Sequence, residues 1–188
     1  MTTPAVTADL DWASLARHAA TPFPHGWAPD EWVFFSPRDP GVHDAIVEVV
    51  QSTSHRLLGN HYGFDDDQVS DLMLQKAADP SIFFLLNLDS SQAAGVHEKK
   101  ILANWQQFEG TMVAVGRSVH AAISHLKVTV VDGLYVISGS TNLSASGEGL
   151  QDNELRITRN PLLAGRYESV LLLNHAAMLK QMAAKKAA

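Results

Sequence analysis

The chain has 188 residues, 46% hydrophobic and 18% charged, enough to fill one core and a length that fits one domain better than two. Its formal net charge of −6 argues against a broad electropositive surface of the kind that holds nucleic acid non-specifically, and the lack of cysteine excludes disulfides and thiolate metal sites. No run approaches the roughly 18 apolar residues of a membrane helix and no basic-then-apolar leader pattern opens the sequence, so a cytoplasmic protein without a membrane span is expected.

Residues 1–30 carry four prolines, Pro4, Pro22, Pro24 and Pro29, and little periodicity beyond a possible short helix from Leu10 to His18. They are expected to form an arm ahead of a domain spanning 31–188. Trp32 to Phe35 reads as a short strand. Asp39-Pro40 then predicts an N-cap and first-turn proline for a helix with Val42, Ala45, Ile46, Val49 and Val50 on one stripe. Arg56 to Phe64 is the next strand candidate, and Asp65 to Asp67 predict the capped start of a helix carrying Val69, Leu72, Met73 and Ala77. That acidic run is better explained as a complement to the helix dipole than as a metal site.

Ser81 to Leu88 is a nearly continuous apolar run, the pattern of a strand buried on both faces. A third helix is expected from Val96 to Phe108 and a strand from Thr111 to Val115. Asn160-Pro161 opens a long last helix whose apolar positions are Leu163, Tyr167, Val170, Leu171 and Met178, with Lys185-Lys186 fraying. Strands alternating with helices predict an α/β fold, a layered sheet flanked by helices on both faces.

The chemistry concentrates between Ser124 and Leu155. Two β-rich runs, His125 to Val131 and Leu134 to Gly139, flank Asp132-Gly133, a strong hairpin-turn dipeptide. A turn centred there pairs Val131 with Leu134, His125 with Ser140 and Lys127 with Ser138. His125, Lys127, Ser138 and Ser140 then share one face, with Asn142 joining them, while Leu126, Val128, Val130, Tyr135 and Ile137 face the core. An imidazole, an ammonium, hydroxyls and a carboxamide together suit a phosphoryl group, whose transfer depends mostly on positioning and charge stabilisation. Histidine can serve there as nucleophile or acid, and lysine supplies fixed charge.

The spacing His125-x-Lys127-x4-Asp132-x6-Gly139-Ser140-x-Asn142 resembles the HxKx4Dx6GSxN signature of the phospholipase D superfamily at every specified position, and Asn153-Glu154 resembles the region that follows it. A weaker resemblance begins near Val33, where FFSPRDP, the amphipathic helix and HYGF look like the opening of such a domain. With one motif, the chain resembles the bacterial endonuclease Nuc group. The resemblance implies a phosphodiesterase that needs no metal or other cofactor, forms a phosphohistidine, and joins two motifs about a two-fold axis in a homodimer. It implies His125 as nucleophile, with His125 of a second chain as general acid, and Lys127, Ser140 and Asn142 as phosphate ligands. Glu154 would be the carboxylate that orients the histidine. Asp132 belongs to the motif, but its place in the turn predicts a structural role.

The expected substrate is nucleic acid, DNA first and RNA second. A lipid phosphodiester is the alternative, favoured by the acidic composition, and a catalytically silent scaffold is the third reading. One histidine cannot easily be covalently occupied and also protonate the leaving group in the same step, which independently predicts an isologous dimer. His120 is the substitute acid if the protein is a monomer. The run from His97 to Asn104 mimics half of a second motif, but in a helix His97 and Lys99 point apart and no Gly-Ser-x-Asn follows. Nine histidines without HExxH or cysteine do not predict a metal site. Gly147 to Gly149 lacks a phosphate-binding framework, and Trp105 and the aromatics of HYGF are expected to pack in the core more than to stack on bases.

Overall fold

The computed structural model describes residues 10–27, 30–92 and 96–187. Pro4 and Pro29 of the expected arm, and the side chain of His97, lie outside the described residues. The elements in chain order are β1 (Glu31–Ser36), α1 (Val42–Gln51), β2 (Arg56–His61), α2 (Asp67–Ala78), β3 (Phe83–Asp89), α3 (Val96–Asn104), β4 (Val113–Gly116), β5 (Lys127–Val131), β6 (Tyr135–Gly139), α4 (Ala145–Gly149), β7 (Asn153–Arg159) and α5 (Pro161–Ala187). Seven strands make one mixed sheet in the order β1-β7-β6-β5-β2-β3-β4. β2, β3 and β4 are parallel, whereas β5 runs antiparallel to β2 and the pairing stays antiparallel through β6 and β7 to β1.

Period-two alternation sorts the strand side chains onto two faces. Leu57, Phe84, Leu86, Val131, Ile137 and Ile157 pack with the buried stripe of α1, with Val69 and Met73 of α2, and with Ile101 and Trp105. Leu58, Leu85, Val128, Val130 and Val136 face Ala164 and Leu171 of α5. The sheet is therefore covered by helices on both faces, as expected. No helix among the described residues is long and apolar enough to cross a membrane.

Local chemistry explains most element boundaries and several departures from expectation. Asp66 caps α2 by accepting the Val69 N–H at 2.7 Å, and Asn160 accepts the N–H groups of Leu162 and Leu163 at the start of α5. Asp39 does not cap α1. Its carboxylate accepts the N–H groups of Ala20 and Phe35 instead, and the helix starts after Gly41. In α5, Val170 is exposed while Asn174 and His175 are buried, because they meet polar partners inside: Asn60 and Asn87 of the parallel strands. The helix continues through Lys185 and Lys186. Residues Trp12–His18 form a 3-10 helix whose Trp12 and Leu15 are buried in the main core, with Trp12 stacked on Tyr135.

The hairpin register differs from expectation by one residue. Asp132 and Gly133 do occupy the turn with positive φ, and Leu134 N–H closes it onto the Val131 carbonyl. The Leu134 carbonyl, however, accepts the N–H of Asn160, which lies between β7 and α5, so pairing with β5 resumes at Tyr135 opposite Val131. A one-residue slip moves side chains to the other face of the sheet. Tyr135 and Ile137 thus join the α1–α2 face, whereas Ser138 pairs with Val128 on the α5 side and leaves the expected site face.

Candidate active site

The carboxyl ends of the parallel strands and the start of β5 share one edge of the sheet, the edge where open α/β sheets place their ligands. There His125, Lys127, Gly139, Ser140, Asn142, Asn153 and Glu154 line a cleft of about 650 Å³. Lys127 opens β5 directly opposite His61 and is buried at 7% exposure. Burial pulls its ammonium below the usual lysine range. Its Nζ sits 3.2 and 3.4 Å from the two ring nitrogens of the exposed His125, and 3.4 Å from the His125 carbonyl oxygen. The backbone just before His125 is held from inside: Ser124 N–H donates to the buried Asp89 carboxylate at 2.6 Å, and its hydroxyl exchanges hydrogen bonds with Asn60.

Ser140 and Asn142 reach the cleft by a different route from strand alternation. Both Ser140 N–H and Thr141 N–H point to one carbonyl, that of Glu154, so β6 bulges against β7 at this point. The bulge offsets the slip at the turn and returns Ser140 to the cleft. Gly139 has φ +149, and a Cβ there would collide with the Glu154 carbonyl oxygen, which is why the bend needs glycine. Ser140 Oγ accepts the Glu154 N–H at 2.9 Å, leaving its own hydrogen to donate. Asn142 Oδ1 accepts the Gly63 N–H at 3.3 Å, which turns its NH2 group to donor duty.

Two residues of the motif region take other places. Asp132 lies at the far end of β5, roughly 16 Å from Lys127 by strand rise, where its carboxylate accepts from Ser54 N–H, Ser54 Oγ, His55 N–H and Arg56 N–H. It ties the hairpin turn to the start of β2 and does not enter the cleft. Glu154 lines the cleft, but its carboxylate engages Arg156 at 3.2 to 3.3 Å in place of His125.

Three neighbours of the cleft were not assigned to it from the sequence, although HYGF contains them all and its tyrosine was expected in the core. His61 is pushed down to about 3 by burial first and the Lys127 charge second, so it is neutral, with Nε2 2.9 Å from Thr129 Oγ1. Tyr62 lies against His125, its ring centroid 4.4 Å from the imidazole. Gly63 leaves the room that Asn142 fills. Phe64 and Trp105 are core residues, as expected. The one signal available was a histidine and a tyrosine at the end of a strand that directly precedes a capped helix.

In structural comparisons the chain is similar to a phospholipase D family member, Nuc from Salmonella typhimurium, with TM-score 0.62 at 16% identity, over 77% of this chain and 92% of that one. It is similar to NucT from Helicobacter pylori, with TM-score 0.64 at 16% identity, over 80% and 95%. Phosphatidylserine synthase of Haemophilus influenzae Rd KW20 gives TM-score 0.52 at 11% identity, over 77% of this chain and 38% of that one. No protein-family model and no curated protein matches the sequence. The fold is the one seen in the phospholipase D family member Nuc and in NucT.

Behind the cleft, His43 of α1, Asp66 at the cap of α2 and Glu148 of α4 converge. His43 Nδ1 lies 2.6 Å from Glu148 Oε2 and 3.0 Å from Asp66 Oδ2, and Nε2 lies 3.1 Å from Gln68 Oε1. Among the described residues this is the one group of three or more histidine and acidic side chains with ligand atoms within 4.8 Å of one another. Its two shortest spacings are those of ion pairs, tighter than the roughly 3.3 Å that ligands about 2.0 Å from a zinc ion would keep. Hydrogen bonds to Asp66 first and Glu148 second push His43 up to about 11 against the effect of burial. Burial raises Asp66, but bonds from His43 and the Val69 N–H outweigh it and hold the carboxyl low. Glu148 moves the other way from an ordinary ion-pair partner, because its burial, with the Asp66 charge beside it, exceeds the pull of His43.

The triad ties together the two loops that frame the cleft, since Asp65 and Asp66 N–H both donate to Leu143 O, one residue past Asn142. Replacing His43 by alanine leaves two carboxylates buried without a counter-charge and is expected to cost about 3 kcal/mol, the low end of the range for breaking a buried pair because His43 is partly exposed. The folded pKa of about 11 lies above the unfolded 6.5, so the stabilisation is complete below pH 6.5 and is lost as pH rises through 11. The stability gap between wild type and His43→Ala, from urea unfolding, should therefore narrow steadily between pH 6.5 and pH 9.5. A gap that stays constant over that range would contradict a charged His43.

Proposed function

We propose that the protein is a phosphodiesterase that cleaves nucleic acid, with DNA as the principal substrate, through a covalent phosphohistidine. The observation that carries this reading is one cleft lined by His125, Lys127, Ser140 and Asn142. A ring nitrogen of His125 attacks phosphorus as the bond to the leaving oxygen breaks, and that oxygen takes a proton from an acid. Water then attacks the phosphohistidine, gives its proton to the same group and frees His125. The Lys127 ammonium, the Ser140 hydroxyl and the Asn142 carboxamide donate to the equatorial oxygens, where charge builds in the transition state. The Nuc likeness supports nucleic acid as the substrate.

A lipid phosphodiester is the second reading, favoured by the net charge of −6 and the fold shared with phosphatidylserine synthase. The domain boundary near residue 30 belongs to the same proposal, with residues 10–27 acting as an arm docked through Trp12 and Leu15. With excess EDTA at neutral pH, wild-type protein is expected to cut plasmid DNA and not phosphatidylcholine, since Lys127 supplies the charge a metal would otherwise bring. His125→Ala should lose turnover with an unchanged circular dichroism spectrum. Cleavage that requires added magnesium, or a folded His125→Ala variant at wild-type rate, would defeat the mechanism.

The acid is the partner subunit's His125 in a two-fold homodimer, because one chain offers one such histidine and the step needs two groups. Equal amounts of wild-type and His125→Ala chains, fully exchanged, should lose about half of the activity per wild-type chain, as groups acting as one unit require. Strict proportionality would place the acid within the chain, with His120 the first residue to test.

A further inference from the structure

Tyr62 directly follows β2, and its N–H donates to the Leu126 carbonyl at 3.0 Å, which seats it between the levels of His125 and Lys127. Its ring centroid is 4.4 Å from that of the His125 imidazole at an interplanar angle of 59°, and the Lys127 ammonium lies 5.2 Å from the same ring centroid. Gln92 Nε2 donates to the phenol oxygen at 2.9 Å and anchors the outer end of the side chain. One half-buried ring therefore touches both groups assigned to the chemistry. Among the described residues the imidazole contacts Lys127 and Tyr62 and no carboxylate, since Glu154 is turned to Arg156.

We propose, on the basis of the phosphodiesterase reading, that Tyr62 is a positioning residue whose ring holds the His125 imidazole and the Lys127 ammonium in the mutual geometry that in-line attack requires. An exposed histidine otherwise samples several rotamers, and each departure from the attacking orientation slows a step that depends on alignment. The negative face of the ring attracts the ammonium, and tilted packing restrains the imidazole without taking up either of its nitrogens. A carboxylate in the same place would occupy one nitrogen and draw Lys127 away from a phosphate. The ring does neither.

The test compares Tyr62→Phe, which keeps the ring and loses the phenol, with Tyr62→Leu, which loses the ring; Tyr62→Met replaces the leucine variant if that one does not fold. Rates on plasmid DNA are taken per folded molecule, and the order parameter of the His125 ring is measured by carbon relaxation. The phenylalanine variant should stay within about two-fold of wild type in kcat. The leucine variant should lose about 10- to 100-fold in kcat with KM nearly unchanged, and its His125 ring should become mobile. A raised KM with unchanged kcat would make Tyr62 a substrate-stacking residue, and equal losses in both variants would make the phenol the active part; either result overturns the proposal. A rigid His125 ring in the leucine variant also overturns it. If the wild-type protein cleaves no phosphodiester, the functional reading fails alone, and the order of the His125 ring still decides whether Tyr62 holds it.

Discussion

The site depends on keeping the Lys127 ammonium in a place where water hardly reaches it. An ammonium at the first residue of a central strand, 7% exposed, forfeits much of its hydration, and burial accordingly lowers its pKa. Among the described residues no carboxylate forms an ion pair with it to offset that cost. What surrounds it is a neutral His61 below, the Tyr62 ring at its side, and the nitrogens and carbonyl of His125 above. A cation left this short of counter-charge interacts strongly with any anion that enters the cleft, and the Ser140 hydroxyl and Asn142 carboxamide line the same cleft with donors to spare.

The rest of the fold maintains that condition. Asn60, Ser124, Asp89 and Asn174 form a buried polar network beneath His125 that joins β2, β3 and α5 to the start of β5. Each of these polar groups would be costly in the interior if unpaired, and their mutual bonds fix one arrangement. On the opposite face the His43–Asp66–Glu148 triad joins three helices and sets the spacing of the loops carrying Gly63 and Asn142. Both ends of the cradle are thus anchored by polar contacts in places where a purely apolar core could slide.

Much of the fold was legible because burial leaves a period in the sequence. The stripe of Val42, Ala45, Ile46, Val49 and Val50, the continuous run at Ser81–Leu88 and the Asn160-Pro161 cap each report a local rule that the structure obeys. The turn at Asp132-Gly133 was equally legible, but the register beyond it was not, because Leu134 gives its carbonyl to Asn160, a competitor at the junction of β7 and α5. The grouping of His125, Lys127, Ser140 and Asn142 in one cleft was anticipated for a partly mistaken reason: alternation alone would have turned Ser140 away, and the bulge at Glu154 brings it back. The triad was illegible, since its members come from separate helices and no local pattern links them. Tyr62 was hidden in a segment whose apolar character pointed to the core, and Phe64 beside it does go there.

In the proposed mechanism His125 is the nucleophile that forms the bond to phosphorus. Acid-labile adducts on histidine survive alkaline quenching, so the direct measurement is mass spectrometry of the peptide containing His125 after rapid mixing with an excess of a short DNA substrate and an alkaline quench. A nucleotidyl phosphate mass on His125, formed at a rate no slower than turnover and missing from a Lys127→Met variant, is the predicted result. Steady turnover with no adduct on His125 at any time, or an adduct on a different residue, would contradict it.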